Sequence, residues 1–143
     1  MSQSVESQVI SQAVILSPEA ILVVPFDNPD MPYAWPMVYV DRPDPTLTET
    51  ARAILDHHDV TVLPVAVKYV RVKTEDAIST TRRNIVAICA RDVWELTAIQ
   101  KLLHDSPCFP MPHTLLLSRE EMTRKCVWLK TDLIDTYTAT DLL

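Results

Sequence analysis

The chain has 143 residues, an apolar fraction of 48% and a formal net charge of −6. The length fits one domain with one core, and the apolar fraction is that of an ordinary globular protein. The acidic balance argues against a nucleic-acid or acidic-membrane partner. The complete absence of glycine excludes a P-loop and a GxGxxG dinucleotide turn. We predict a single domain over residues 1–143, with residues 1–12 as a flexible N-terminus.

The compartment is predicted from what the sequence lacks. The N-terminus has no basic residue before Arg42 and cannot form the charged start of a secretory signal. The longest wholly apolar run, Ala20–Phe26, is far too short to cross a bilayer. The three cysteines fit neither a zinc-site spacing nor a CxxC pair. We therefore expect a cytoplasmic protein with reduced thiols.

The first part of the chain predicts three short strands. Apolar runs at Ala13–Leu16, Ala20–Phe26 and Pro36–Val40 indicate these strands. A turn-rich loop is expected over Asp27–Pro32. A stiff, proline-bearing connection over Asp41–Pro45 leads from the third strand to a helix.

That helix is predicted over Thr48–His58, with Thr46 or Thr48 as its N-cap. Its apolar face is formed by residues at helical period, which are Leu47, Ala51, Ile54, Leu55 and His58. A polar arc about 100° wide lies opposite. This arc carries Glu49, Ala53, Asp56 and His57.

The rest of the chain predicts two further strands, a second helix and a last strand. In order, these elements are strands Val60–Lys73 and Asn84–Ala90 paired across Thr74–Thr81, helix Asp92–His104, loop Ser106–His113, strand Thr114–Leu117 and a helix start at Ser118–Glu121. The last twenty residues give no clear pattern. This order predicts an α/β sandwich with a mixed sheet.

The segment Val38–Val60 contains charged and aliphatic residues at a characteristic spacing. They are Asp44, Arg52, Ile54, Asp56, His57 and Val60. The segment resembles the Nudix box: Gly, five residues, Glu, seven residues, Arg-Glu, an aliphatic, any residue, Glu-Glu, any residue, Gly and an aliphatic. Every spacing is met without a gap. Asp44 and Asp56 take glutamate positions, Ala53 and His57 replace two other glutamates, and Val38 and Asp59 replace the glycines.

The resemblance implies a Nudix-like α/β/α sandwich with a mixed β-sheet, in which the box forms a strand, a loop and a helix. In Nudix enzymes the box glutamates hold Mg²⁺ or Mn²⁺, which neutralises a diphosphate and activates water. Hard divalent cations need several carboxylate oxygens, and here Ala53 supplies none. Glu49 and Asp56 are the metal ligands if the hydrolase chemistry is retained.

Loss of the metal leaves a carboxylate beside an imidazole, a usable acid–base pair. We therefore predict a repurposed Nudix-fold enzyme that needs no cofactor and isomerises, cyclises or dehydrates a small organic molecule. His57 is its acid or base, Asp56 orients His57, and Glu49 is a second proton carrier. The alternatives are a non-catalytic Nudix-like domain that binds a ligand or a protein, and a Mg²⁺-dependent nucleoside-diphosphate-type hydrolase. Residues 56–59 also fit a polar helix end favoured by the helix dipole.

Four more residues are candidates for substrate binding. Tyr33, Trp35 and Tyr39 lie before or on the strand that leads into the box, where an aromatic ring could stack on a planar substrate. Core packing is the favoured alternative for Trp35. Arg52 is spaced for an ion pair with Asp56, and a surface helix position is the alternative.

The remaining histidines and the oligomeric state complete the expectations. His58 lies on the apolar stripe, where we expect a hydrogen-bonded core residue. His104 and His113 flank the proline-rich loop, where surface positions are expected and entry into a pocket is the alternative. The valine-rich strands offer a surface for a homodimer.

Overall fold

The computed structural model describes residues 4–25, 33–73, 75, 77–109, 113–118 and 120–121. Within these residues, six strands and two helices are named. The strands are β1 Ser4–Leu16, β2 Ala20–Pro25, β3 Tyr33–Ala34, β4 Val62–Lys73, β5 Ala77–Cys89 and β6 Leu115–Ser118. The helices are α1 Leu47–Leu55 and α2 Val93–His104.

All six strands belong to one mixed sheet. Its main path runs β3-β2-β1-β5-β4, and β6 pairs with β2 off this path. β1 and β5 are parallel, whereas the other strand pairs are antiparallel. The predicted α/β class with a mixed sheet is confirmed.

The first strand is longer than predicted. β1 begins at Ser4, so residues 4–12, which we expected to be a flexible N-terminus, are part of the sheet. They pair with β5 in a continuous parallel register, from Ser4 opposite Ala77 to Leu16 opposite Cys89. Few apolar side chains occur in residues 4–12, so hydrophobic periodicity gave no signal. The backbone pairing with a distant strand supplies the order instead.

Both helices pack on the same face of the sheet. Because side chains alternate along a strand, Ala13 and Ile15 of β1 face these helices, whereas Val14 and Leu16 belong to a separate cluster. The helical side of the larger cluster comes from Ala51, Ile54, Leu96, Ile99 and Leu103. The second helical layer of the predicted α/β/α sandwich is not among the residues that the structure describes.

Two predicted helices are present, with shifted ends and some exposed apolar residues. α1 has Thr46 as its N-cap and ends at Leu55, three residues before the predicted end, with Asp56 as C-cap. Leu55 was predicted on the buried stripe, but it is 47% exposed. α2 begins after its N-cap Asp92 and ends at His104, as predicted. In the described part of the chain, neither helix is long and apolar enough to cross a membrane.

Two other predicted elements differ from the structure. The predicted strand Pro36–Val40 is instead an extended segment with one isolated bridge, Met37 to Gln12. Pro36 lacks an N–H group, which limits its pairing to its carbonyl oxygen. The loop predicted over Thr74–Thr81 is mostly strand, because β5 already begins at Ala77.

Near the end of the described chain, Ser118 accepts a hydrogen bond from the Glu121 backbone at 3.1 Å, as the predicted helix start requires. The unassigned last twenty residues lie outside the described residues.

Candidate functional site

The box segment crosses from the sheet edge into α1. The backbone of Val38 donates to Ser11 at 2.8 Å, and that of Ala13 donates to Pro36 at 3.0 Å, so the entry is held against β1. α1 is anchored on the same strand, since the buried hydroxyls of Ser11 and Thr50 lie 2.9 Å apart. The box therefore forms an extended segment, a loop and a helix.

Glu49, predicted to carry a proton or a metal, is engaged in the start of α1. Its carboxylate accepts from the Thr46 backbone at 3.1 Å, while its own backbone N–H donates to the Thr46 hydroxyl at 3.1 Å. It also forms an ion pair with Arg42. The hydrogen bond from the Thr46 backbone lowers the pKa of Glu49, partly opposed by burial, and the Thr46 side chain and Arg42 lower it further. This carboxylate is a helix cap in the described structure.

Asp44, at the first glutamate position of the box, is paired with a cation. Its Oδ1 lies 2.7 Å from a guanidinium nitrogen of Arg82. The same Arg82 donates to the Pro45 carbonyl at 2.6 Å, and the buried side chain of Asn84 donates to that carbonyl at 2.8 Å. The box loop is thus fixed to β5, and Asp44 already has a positive partner.

Asp56 and His57 both lie exposed at the C-terminal end of α1. The Asp56 backbone donates to the Arg52 carbonyl at 2.9 Å, and that of His57 donates to Ile54 at 3.2 Å. The predicted ion pair between Arg52 and Asp56 is not one of the described ion pairs. Arg52 is exposed, as the surface alternative expects. The His57 ring lies 6.4 Å from that of His58, measured between ring centroids.

The segment Ser106–Phe109 packs against the box. This segment is part of the loop that was predicted over Ser106–His113. The Cys108 thiol donates to the Ala53 carbonyl at 3.2 Å, and the Tyr39 backbone donates to the Cys108 carbonyl at 2.6 Å. Burial raises the pKa of Cys108; the hydrogen bond with Ser106 opposes this, and the negative charge of Asp56 adds to it. The thiol therefore stays protonated and can donate. Ala53 occupies a glutamate position of the box, and its backbone carbonyl is bound by a distant part of the chain.

His58 makes a second contact between α1 and this segment. Its Nε2 shares a hydrogen bond with the Ser106 hydroxyl, which also accepts from the Cys108 backbone at 3.2 Å. The expected hydrogen bond of His58 is confirmed, but the expected core position is not, because His58 is half-buried and follows the end of α1. Burial first, and then the charge of His57, lowers the pKa of His58. The neutral imidazole is therefore favoured in the folded state.

Acidification is expected to destabilise the fold through His58. Because folding lowers its pKa, the unfolded chain takes up the proton first as the pH falls below about 6.5, and stability declines in that window. Denaturant unfolding at about pH 7.5 and about pH 5.5 measures this effect. We expect a smaller acid-induced loss in His58→Gln, and an unchanged loss in the control His113→Gln, which replaces an exposed histidine that does not shift the pKa of His58. Equal losses in all three proteins would contradict this assignment.

The aromatic candidates are not gathered at the box. Trp35 is fully buried in the cluster on the sheet face opposite α1 and α2, and half-buried Tyr33 packs against that cluster. Tyr39 is 58% exposed and contacts the Ser106–Phe109 segment through its backbone. Tyr33 and Trp35 lie across the sheet from α1, so neither ring is beside the box helix. Stacking of an aromatic ring of this set on a planar substrate stays a prediction. Core packing, the favoured alternative for Trp35, is what the structure has.

Of three cavities in the described part of the chain, none is lined by Glu49, Asp56 or His57. The largest of these three is an open cleft of about 460 Å³ at the C-terminal end of α2. A second cleft, of about 340 Å³, lies beside Asp44 and Arg82. The third is a narrow crevice of about 10 Å³ next to the largest cleft.

The largest cleft brings together residues that the sequence analysis did not assign to a site. They are Gln100, Lys101, His104, Asp105, His113 and Thr114. His104 and His113 are exposed, as expected, but both line this cleft. The available sequence signal was the polar pair Gln100 and His104, four residues apart on one helix face. The contribution from residues 113–114 depends on tertiary structure.

No protein-family model matches this chain, and no curated protein matches it. Twenty chains of solved structure do match it. One of them is a NUDIX hydrolase from Nitrosomonas europaea, which is 15% identical, with 96% of each chain covered and a TM-score of 0.43. By its name, that protein belongs to the family whose box this sequence resembles. A likeness at this level says nothing about the reaction.

Proposed function

We propose that this protein is a non-catalytic, Nudix-like domain that binds a ligand, and that its box helix α1 is now a structural element. The observation that carries the proposal is the contact between Cys108 and the Ala53 carbonyl, at 3.2 Å. It binds a distant segment to the backbone of α1 at a position where the box pattern has a glutamate. The hydrogen bond between His58 and Ser106 fixes the same segment to the end of the helix.

The residues of the box do not fit a Mg²⁺ site. Mg²⁺ is bound through carboxylate oxygens in near-octahedral geometry, with several waters retained. Ala53 has no ligand atom, Glu49 caps the helix and pairs with Arg42, and Asp44 pairs with Arg82. Among the described residues, no group of three His, Cys, Asp or Glu side chains could hold a metal ion. The box residues therefore lack the free carboxylates that metal-dependent hydrolysis needs, which favours the proposed ligand-binding function.

The second candidate is the acid–base enzyme, with His57 as acid or base. Its specific support is the exposure of His57 and Asp56 side by side at the end of α1. Glu49 would have to leave its cap before acting as a second proton carrier, which would remove the hydrogen bond from the Thr46 backbone and the ion pair with Arg42. The proposed ligand-binding function does not require Glu49 to leave its cap.

Solvent deuterium exchange separates these two candidates. A general base that removes a proton from carbon exchanges it with D₂O, which proton NMR detects across a set of small ketones and 2-oxo acids. We expect no exchange above the buffer rate. Exchange that disappears in His57→Ala, while the variant stays folded, would overturn the non-catalytic proposal.

Diphosphate hydrolysis is expected to be absent with either metal. We expect no release of nucleoside monophosphate above the buffer rate from nucleoside diphosphates or dinucleoside diphosphates in Mg²⁺ or Mn²⁺. The Ala53→Glu variant is expected to remain inactive, because one restored carboxylate leaves Glu49 and Asp44 in their present pairings. Metal-dependent release by the natural chain that is lost in Asp56→Asn would show that the hydrolase chemistry survives.

A further inference from the structure

The largest cleft has the size and the setting of a small-molecule site. Its volume of about 460 Å³ lies within the range of about 300–1,000 Å³ that is common for ligand pockets. One wall is the last turn of α2, and the other is formed by His113 and Thr114, just before β6. Gln100 links the walls, since its amide nitrogen donates to the Thr114 hydroxyl at 2.9 Å. A hydrogen bond between the walls holds the cleft in one shape.

The charged groups of the cleft favour an anion. Lys101, His104 and His113 can each present a positive charge or an N–H donor, against the single carboxylate of Asp105. None of the described ion pairs uses Lys101 or either histidine. Within a chain of net charge −6, this wall is locally rich in cationic groups. Lys101 and His104 also sit in the last turn of α2, where the helix dipole favours positive charge.

A metal ion is the competing occupant for a pair of histidines. A site for one needs several ligands converging on a single point. His104, Asp105 and His113 do not form such a group, since no cluster of three potential ligands occurs among the described residues. Their imidazoles therefore face the cleft as hydrogen-bonding groups for an organic ligand.

A narrow apolar crevice adjoins the cleft. It shares Gln100, His104 and Thr114 with the cleft. Its other lining residues come from the sheet and the core: Ile15, Leu22, Pro36, Leu103 and Phe109. The crevice holds only about 10 Å³, so the ligand groups contact the polar side chains that line the cleft itself.

We propose that this cleft binds a small organic carboxylate, with Lys101, His104 and His113 around the anionic group. The inference rests on the proposed binding function and names its ligand class and its site. A carboxylate offers these donors two acceptor oxygens in one plane.

NMR titration of the full chain with benzoate, benzamide and phenyl phosphate tests the proposal. We expect benzoate to shift the backbone amides of residues 100–105 and 113–114, and to bind about tenfold more tightly than neutral benzamide, which lacks the charge-assisted hydrogen bonds. Equal affinity for benzamide, tighter binding of phenyl phosphate, or no shift at the cleft up to the solubility limit would each overturn the proposal.

Two variants locate the interaction. Lys101→Met keeps the aliphatic stem and His104→Gln keeps a donor, and each is expected to weaken benzoate binding about fivefold to tenfold. His57→Gln is the matched control, because it removes an exposed histidine outside the cleft. A loss in the control equal to that in the cleft variants would overturn the site.

The result also separates this proposal from the function on which it rests. Chemical conversion of bound benzoate would end the non-catalytic proposal and leave the site standing. Absence of binding would remove the site and leave the assignment of α1 untouched, because that assignment depends on the contacts of Ala53 and His58.

Discussion

Replacing Trp35 by alanine is expected to lower the free energy of unfolding by about 3–5 kcal/mol. Trp35 is fully buried, and the cluster around it fills the sheet face opposite the two helices. Truncation leaves a cavity that these rigid strand side chains can close only in part. Denaturant unfolding measures the loss. A substrate-stacking tryptophan would instead be dispensable for stability.

Tyr39→Ala is the matched control, because Tyr39 belongs to the same predicted aromatic set and is 58% exposed. We expect its loss to stay below about 1 kcal/mol. The assignment of Trp35 to the core is contradicted if Trp35→Ala unfolds at the denaturant concentration of the natural chain, or if both variants lose the same stability.

Truncation of Ile54 to alanine is expected to have the second largest effect, a loss of about 2–5 kcal/mol. Ile54 is fully buried between α1 and the sheet, in the same cluster as Ala51 and Leu96. The neighbouring Leu55 is 47% exposed, although the sequence pattern placed both on one buried stripe. The Leu55→Ala variant is therefore expected to cost less than about 1 kcal/mol.

These two variants test the orientation of the box helix. Their chemistry is closely matched, because each removes a branched aliphatic side chain from adjacent positions. If Leu55→Ala costs as much as Ile54→Ala, the helix is rotated from its described position. The orientation of Asp56 and His57 toward solvent would then be wrong as well.

Local signals in the sequence were sufficient to predict where each helix begins. Thr46 and Glu49 form the capping box at the start of α1, and Asp92 caps α2. Each of these interactions spans only three residues, so the sequence alone can indicate it. Ser118 and Glu121 follow the same rule. The sequence could not show where α1 ends, because His57 and His58 continue a helical pattern after the helix has stopped at Leu55.

Long-range pairing decided what the sequence could not show. The polar first half of β1 is ordered by β5, more than seventy residues away along the chain. The contact from Cys108 to Ala53 joins residues 55 positions apart, and no local pattern predicts it. Periodicity placed Glu49 on one arc with His57, but it could not show that the Glu49 carboxylate turns back to cap the helix.

The sequence pattern also could not show on which face of the sheet a given side chain lies. Tyr33 and Trp35 precede the box closely, so they were predicted to face its ligand. Side chains on a strand alternate between faces, and only the assembled sheet shows which face meets the helices. The cleft at α2 depends on the same kind of information, since residues 113–114 reach it through the pairing of β6 with β2.

The most direct test of the structural role of α1 is a Mn²⁺ titration of the nitrogen-labelled chain, followed by NMR. A bound paramagnetic ion broadens nearby backbone amides. We predict that the amides of Glu49, Ala53, Asp56 and His57 keep their intensity relative to the rest of the chain. Selective loss of these signals at low Mn²⁺, reversed by an excess of Mg²⁺, would show a cation held on this helix and would contradict the account.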